Sequence, residues 1–101
     1  MPNTLAIAHK FEQFVTLHGE DPFISKTIAK LFSARTAKLN KELKDVQQAL
    51  NRFERSYGKS SELFLKEYHA GTAGDDMDYI EWASLVIMRD RLMAERVLLQ
   101  S

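Results

Sequence analysis

A run of 35 residues without glycine or proline, from Phe23 to Tyr57, constrains the fold of this 101-residue chain more than any other feature. Apolar residues recur along it at steps of three and four, which predicts one long amphipathic helix over residues 22–57. Such a helix is about 50 Å long, whereas a compact domain of this size has a radius of gyration of about 13 Å. Three alternatives follow: the helix breaks near residues 33–37, it protrudes, or another chain covers its apolar stripe.

Four apolar residues of this stripe are spaced by seven, which favours a coiled-coil-like seam. They are Phe32, Leu39, Val46 and Phe53. We expect an interface with a protein partner, or with a second copy of the chain, in the part of the stripe that lies furthest from Gly58, where the chain folds back. The residues predicted for this interface are Phe32, Leu39, Leu43 and Val46.

Glycines and helix-capping residues mark the ends of the other predicted helices. Gly19 suits the end of a first helix, because glycine readily adopts the left-handed conformation common at helix C-termini. Asp21 suits the start of the long helix as its N-cap, and Gly58 suits its end. Ser60 or Ser61 is the expected N-cap of the next helix. The predicted helices cover residues 4–18, 22–57, about 61–69 and about 77–99.

No segment shows the period-two alternation of a β-strand, so we predict an all-α fold of three to four helices. The long amphipathic helix is expected to pack against a C-terminal helical hairpin in a coiled-coil-like manner. The first half of the fourth helix, YIEWASLVIM, is apolar on nearly all sides, which places it at the centre of the core. We predict a single helical domain over residues 1–101, with an N-terminal helix in 1–19, the long helix in 22–57 and the hairpin in 60–101.

Composition excludes several classes of site. The chain has no cysteine, which removes disulfides, thiol catalysis and zinc–thiolate centres. No apolar run approaches the roughly 18 residues of a membrane helix, and the N-terminus lacks the basic start and apolar run of a signal peptide. We therefore expect a cytoplasmic protein that does not enter a membrane.

Four acidic residues lie within seven positions near the start of the fourth helix: Asp75, Asp76, Asp78 and Glu81. A calcium loop of the EF-hand type counted from Asp76 needs glycine where Glu81 stands, so that pattern fails. Asp78 and Glu81 share a helix face, but a glycosidase pair also needs a sugar cleft, of which the sequence gives no sign. We interpret the cluster as the N-cap and first turn of the helix, with Asp75 or Asp76 as the cap.

Other candidate motifs are incomplete. Gly58, Lys59 and Ser60 match only the end of a P-loop, because its first glycine falls on Phe53 and a helix replaces the preceding strand. The histidines lack metal-ligand spacing, and Ser84 lacks a nucleophile elbow. We therefore predict no catalytic residue, no metal site and no cofactor.

Charge is distributed unevenly, although the formal net charge is zero. Residues 26–59 carry nine Lys or Arg against three acids, whereas residues 60–101 carry four against eight. The basic stretch is interpreted first as a solvated helix face, which also suits an acidic protein partner or the acidic tail of this same chain. It is alternatively a surface for nucleic-acid phosphates. The residues predicted for a basic contact face are Lys38, Lys41, Arg52 and Arg55.

The stretch from Leu50 to Arg89 resembles a group of small helical prokaryotic proteins, many without assigned function and some associated with toxin–antitoxin systems. The shared pattern is a tyrosine–glycine step, a serine pair, an aromatic residue, and a G-D-D-x-D step into an E-W helix. The residues that carry it are Phe53, Glu54, Tyr57, Gly58, Ser60, Ser61, Phe64, Gly71, Gly74, Asp75, Asp76, Asp78, Glu81 and Trp82. The resemblance implies a toxin-neutralising or other partner-binding role and no catalytic residue. Residues 1–30 lie outside it.

Together these patterns predict a non-enzymatic protein-interaction protein, antitoxin-like, that binds and occludes a partner protein through an amphipathic helix. The expected partner is a protein such as a toxin, or a second copy of the chain in a homodimer. The alternative is a nucleic-acid-binding regulator that uses the basic face of residues 26–59.

Overall fold

A computed structural model of the protein describes residues 3–100 as four α-helices without a β-strand. The helices are α1, Thr4–His18; α2, Pro22–Tyr57; α3, Ser61–His69; and α4, Met77–Gln100. The predicted all-α class is therefore confirmed. Because α2 is a single helix from Pro22 to Tyr57, it does not break near residues 33–37.

The chain divides into two compact units, an N-terminal unit of Met1–Ser33 and a C-terminal unit of Ala34–Ser101. The division falls inside α2 rather than in a loop. No glycine, proline or change of composition marks this position in the sequence, and the single helical domain over residues 1–101 stays a prediction. The N-terminal unit contains α1 and the start of α2, and the C-terminal unit contains the rest of α2 with α3 and α4.

Side chains from three helices form the core of the C-terminal unit, where α2 packs against α4 as predicted. The stripe of α2 supplies four buried residues at steps of four and three, so that one helix face is buried. The buried apolar residues of the core are Leu39, Leu43, Val46, Leu50, Phe64, Trp82, Ala83, Val86 and Leu92. The coiled-coil-like character of the α2 seam stays a prediction.

Trp82 lies at the centre of this core, with no exposed surface. Its ring stacks on Phe64 with the centroids 3.9 Å apart and the planes nearly parallel, and it also stacks on Phe53 at 5.6 Å. The indole Nε1–H donates a hydrogen bond of 2.9 Å to Oγ of Ser61. The backbone N–H of Ser61 donates in turn to Oε2 of Glu54 at 2.7 Å. This network connects α4 to α3 and α3 to α2.

Polar side chains cap the helices where the sequence predicted. Oδ1 of Asp21 accepts the N–H of Phe23 at 2.8 Å, and Oγ of Ser60 accepts the N–H of Leu63 at 3.1 Å. Of the two serines considered, Ser60 is therefore the N-cap of α3, whereas Ser61 takes part in the core. Gly58 follows α2 with φ +67°, a conformation that favours glycine and allows the chain to turn towards α3.

We expect Ser61→Ala to destabilise the C-terminal unit by about 1–3 kcal/mol, because it leaves the buried N–H of Trp82 without an acceptor. Urea unfolding followed by the fluorescence of Trp82, the only tryptophan, measures this change. Ser84→Ala is the matched control, since the exposed hydroxyl of Ser84 bonds only to the carbonyl of Ile80 in its own helix. A cost within about 0.5 kcal/mol for both variants would show that the Ser61 hydrogen bond is not important for stability.

Candidate interaction surfaces

The N-terminal unit buries none of its described residues, 3–33. Its large apolar side chains are exposed on both α1 and the start of α2. They form what we call the N-terminal apolar surface: Leu5, Ile7, Phe11, Phe14, Leu17, Phe23, Leu31 and Phe32. Helices in proteins owe most of their stability to tertiary packing of an apolar face. A helix pair without a buried residue therefore lacks the usual source of stability.

The apolar stripe of α1 follows from its sequence. Ile7, Phe11 and Phe14 are separated by four and three residues, so they share one helix face. They are 56%, 41% and 48% exposed. The ring of Phe14 stacks on His18 one turn later, with the centroids 5.2 Å apart. This stripe is the apolar half of an amphipathic helix that no described residue of the unit buries.

The four residues predicted for a partner interface fall into two different environments. Leu39, Leu43 and Val46 are 0%, 8% and 7% exposed and belong to the core of the C-terminal unit. Helix α4 of the same chain covers them, so little of their surface is left for a protein partner. Phe32, which lies in the N-terminal unit, is 47% exposed. Of the predicted set, only Phe32 is accessible to a partner in this structure.

The predicted basic contact face consists of exposed side chains. Lys38, Lys41, Arg52 and Arg55 are all exposed and form no ion pair with any residue that the structure describes. At 3.6 residues per turn they lie within about 100° of one another around α2. Two neighbouring cations are paired: Arg35 of α2 binds Glu95 and Glu42, and Lys59, in the turn after α2, binds Glu67.

A groove of about 400 Å³ lies between α2 and α4 in the C-terminal unit. Two rows of side chains line it, one on each helix and each with the spacing i, i+4, i+7. The row on α2 is Asn40, Lys44 and Gln47, and the row on α4 is Arg89, Met93 and Arg96, with Leu43 between them. The lining therefore contains three cations and two carboxamides but no carboxylate. The sequence analysis did not find this set, because its members lie about 50 residues apart in the chain.

The acidic cluster forms a helix cap and one tertiary hydrogen bond. Oδ1 of Asp76 accepts the N–H of Asp78 at 2.9 Å, which identifies Asp76 as the cap. Oδ2 of Asp78 accepts the hydroxyl proton of Tyr57 at 2.7 Å. This hydrogen bond, helped by desolvation and by the negative charge of Asp76, raises the pKa of Tyr57 to about 12. Among residues 3–100, no three His, Cys, Asp or Glu side chains come together in a way that could hold a metal ion.

The remaining polar residues considered in the sequence are on the surface. His9, His18 and His69 are all exposed. His69 packs edge-on against Tyr68. Within the described part of the chain, no helix is both long and apolar enough to cross a membrane.

Comparisons with protein-family models, with curated proteins and with solved structures find no match for this chain. The resemblance to toxin–antitoxin-associated proteins therefore stays a prediction.

We expect one of the three tyrosines to titrate near pH 12, and Asp78→Ala to return that pKa towards 10, because the variant removes the acceptor of the Tyr57 hydrogen bond. In the wild type the unfolded chain loses this proton first as pH rises, since its tyrosine pKa is near 10. The contribution to stability is therefore complete below pH 10 and is lost as pH rises towards 12. NMR titration of the tyrosine ring carbons measures the pKa.

Asp75→Ala is the control for this titration, because Asp75 is exposed and is not among the groups that shift Tyr57. An unchanged tyrosine pKa in Asp78→Ala, or an equal fall in Asp75→Ala, would contradict the assignment.

Proposed function

We propose that this chain is a non-enzymatic protein-interaction protein that binds a partner protein through the amphipathic helices of its N-terminal unit. The observation that carries the proposal is the N-terminal apolar surface. Its eight large apolar side chains are 41% to 89% exposed, and removing such side chains from water on binding is favourable.

The mechanism that fits this surface is occlusion. An amphipathic helix places its apolar side chains in a groove of the partner and excludes water from that groove. The stripe of Ile7, Phe11 and Phe14 is suited to this, because three- and four-residue steps are the pattern of helix-in-groove anchors. Phe32 on α2 is a further candidate anchor. The resemblance to toxin–antitoxin-associated proteins supports an antitoxin-like role, in which the groove belongs to the functional surface of a toxin.

A comparison of three affinity-tagged forms, produced in the native host and cross-linked before purification, tests this proposal. The wild type is compared with Phe11→Glu/Phe14→Glu, which places charge on the α1 stripe, and with Ile80→Glu/Ile87→Glu. The second pair is the matched control, because Ile80 and Ile87 are exposed on α4 to a similar extent, 60% and 54%. Fluorescence of the buried Trp82 shows whether the C-terminal unit stays folded in each form.

We expect one protein to co-purify in stoichiometric amount with the wild type and the α4 variant, and to be lost from the α1 variant. Charged side chains do not enter an apolar groove without a large desolvation cost. A partner that stays bound to Phe11→Glu/Phe14→Glu, or that is lost from the α4 variant, would refute binding through the N-terminal apolar surface.

The second candidate function is nucleic-acid binding through the basic contact face. The observation in its favour is that Lys38, Lys41, Arg52 and Arg55 are exposed and without ion pairs in the described residues. Phosphate contacts release counterions, so this function predicts an affinity that falls steeply between about 50 and 200 mM salt. Fluorescence anisotropy with labelled DNA and RNA measures it, and Lys38→Gln/Lys41→Gln is expected to reduce the salt slope. Absence of binding at about 50 mM salt would eliminate this candidate.

A further inference from the structure

The cationic groove between α2 and α4 belongs to neither of these functions. Its basic side chains, Lys44, Arg89 and Arg96, converge from two helices, and none of them is in the basic contact face. The question is which ligand such a groove would accept. Two properties decide it: how much hydrogen-bonding capacity remains unused, and how much room the groove offers.

Arg89 is fixed in position by its neighbours. Its side chain is only 16% exposed, its Nη1 lies 3.2 Å from Oε1 of Glu62, and its Nε donates to Oδ1 of Asp90 at 3.2 Å. These two carboxylates offset its charge, but they contact only Nη1 and Nε of the guanidinium. Nη2 has no partner among the described residues, so a rigid N–H donor remains available.

The other two cations are uncompensated. Neither Lys44 nor Arg96 forms an ion pair within residues 3–100, and no carboxylate lines the groove. With Glu62 and Asp90 counted against the three cations, the local charge is still positive. A bound anion would be attracted to these side chains and would compensate their charge.

Carboxamides and apolar atoms complete the lining. Gln47 uses one N–H of its Nε2 in a bond of 2.9 Å to Asn51 and has a second to donate, while Asn40 has no side-chain hydrogen bond in the described structure. Arginine, lysine and neutral amide donors together are the groups that bind phosphate oxygens in proteins. Leu43 and Met93 add a small apolar contact beside these donors.

We propose that the groove binds a ligand with two or more adjacent phosphate groups, through Lys44, Arg89 and Arg96. The lining has one cation on α2 and two on α4, and a ligand with several phosphate groups has enough charged oxygens to pair with all three. The groove volume of about 400 Å³ is in the range of small-molecule sites, roughly 300–1,000 Å³. Inorganic polyphosphates and nucleotides share this chemistry, and the experiment distinguishes between them.

The test is isothermal titration of the full chain, at about 50 mM salt and without divalent cations, with five probes. These are inorganic phosphate, pyrophosphate, tripolyphosphate, a nucleoside triphosphate and a short single-stranded oligonucleotide. We expect saturable 1:1 binding of pyrophosphate or tripolyphosphate that is tighter than that of phosphate. Tighter binding of the nucleoside triphosphate than of tripolyphosphate would assign the natural ligand to nucleotides through the contact with Leu43 and Met93, and equal binding would assign it to inorganic polyphosphate.

Lys44→Gln and Arg96→Gln are each expected to weaken binding about tenfold or more, since each removes one charge-assisted hydrogen bond. Both side chains lie outside the core and make no ion pair, so the fold does not depend on them. Arg52→Gln/Arg55→Gln is the matched control: it removes two exposed, unpaired cations of α2 that do not line the groove, and it is expected to leave the affinity within about twofold.

NMR of the wild type provides a measurement that needs no variant. Pyrophosphate should shift the side-chain amide signals of Asn40 and Gln47, and the signals of α1 should not move. No saturable binding of pyrophosphate, tripolyphosphate or the nucleotide up to about 10 mM would overturn the proposal. So would equal loss of affinity in the control variant, or binding of the oligonucleotide alone.

Discussion

Burial of Trp82 is the interaction on which the rest of the C-terminal unit depends. Its indole ring contacts aromatic side chains from α2 and α3, and its only polar atom bonds to Ser61. Removing such a ring from water contributes several kilocalories per mole, but only if the N–H has an acceptor. Because Ser61 is itself held by Glu54 of α2, the same few residues set the position of all three helices. The serine pair and the E-W step of the sequence pattern are therefore two ends of one hydrogen-bonded network.

The apolar stripe of α2 illustrates what sequence periodicity can and cannot predict. The stripe correctly predicted a long helix over residues 22–57 that packs against the C-terminal part of the chain, but it left open a break near residues 33–37. It could not tell which part α4 of the same chain covers, because Leu39 and Phe32 have the same spacing and similar hydrophobicity. Leu39 is fully buried and Phe32 is 47% exposed. That difference depends on tertiary contacts between residues that are 40 or more positions apart. Local periodicity carries no information about such contacts. The same absence of long-range information applies to α4. Its first half is apolar on nearly all sides, yet Ile80 and Ile87 are exposed.

Polar residues divide in the same way between local and long-range effects. Caps act within three residues, so Asp21, Ser60 and the Asp75–Asp76 pair were recognisable from the sequence. The hydrogen bond from Tyr57 to Asp78 spans 21 residues and that from Arg35 to Glu95 spans 60. Neither of these hydrogen bonds is marked by a pattern in the neighbouring sequence. The acidic cluster thus has a cap that was predictable and a tertiary contact that was not, and both roles are structural.

Charge pairing explains why the candidate sites lie where they do. The C-terminal unit uses Arg35, Lys59 and Arg89 in ion pairs with acids of α2, α3 and α4, so the acidic tail of the sequence neutralises part of the basic middle. The cations left outside these pairs include the basic contact face of α2 and the groove residues Lys44 and Arg96. Dispersed charges make a protein surface equally soluble, so solubility alone does not require cations to be grouped. Two rows at the spacing i, i+4, i+7 that face each other without a carboxylate concentrate the positive potential between them. The N-terminal unit differs, because its large apolar side chains are exposed. Because the N-terminal apolar surface and the groove belong to separate units, a substitution in one does not alter the residues of the other, and the two proposals are tested separately.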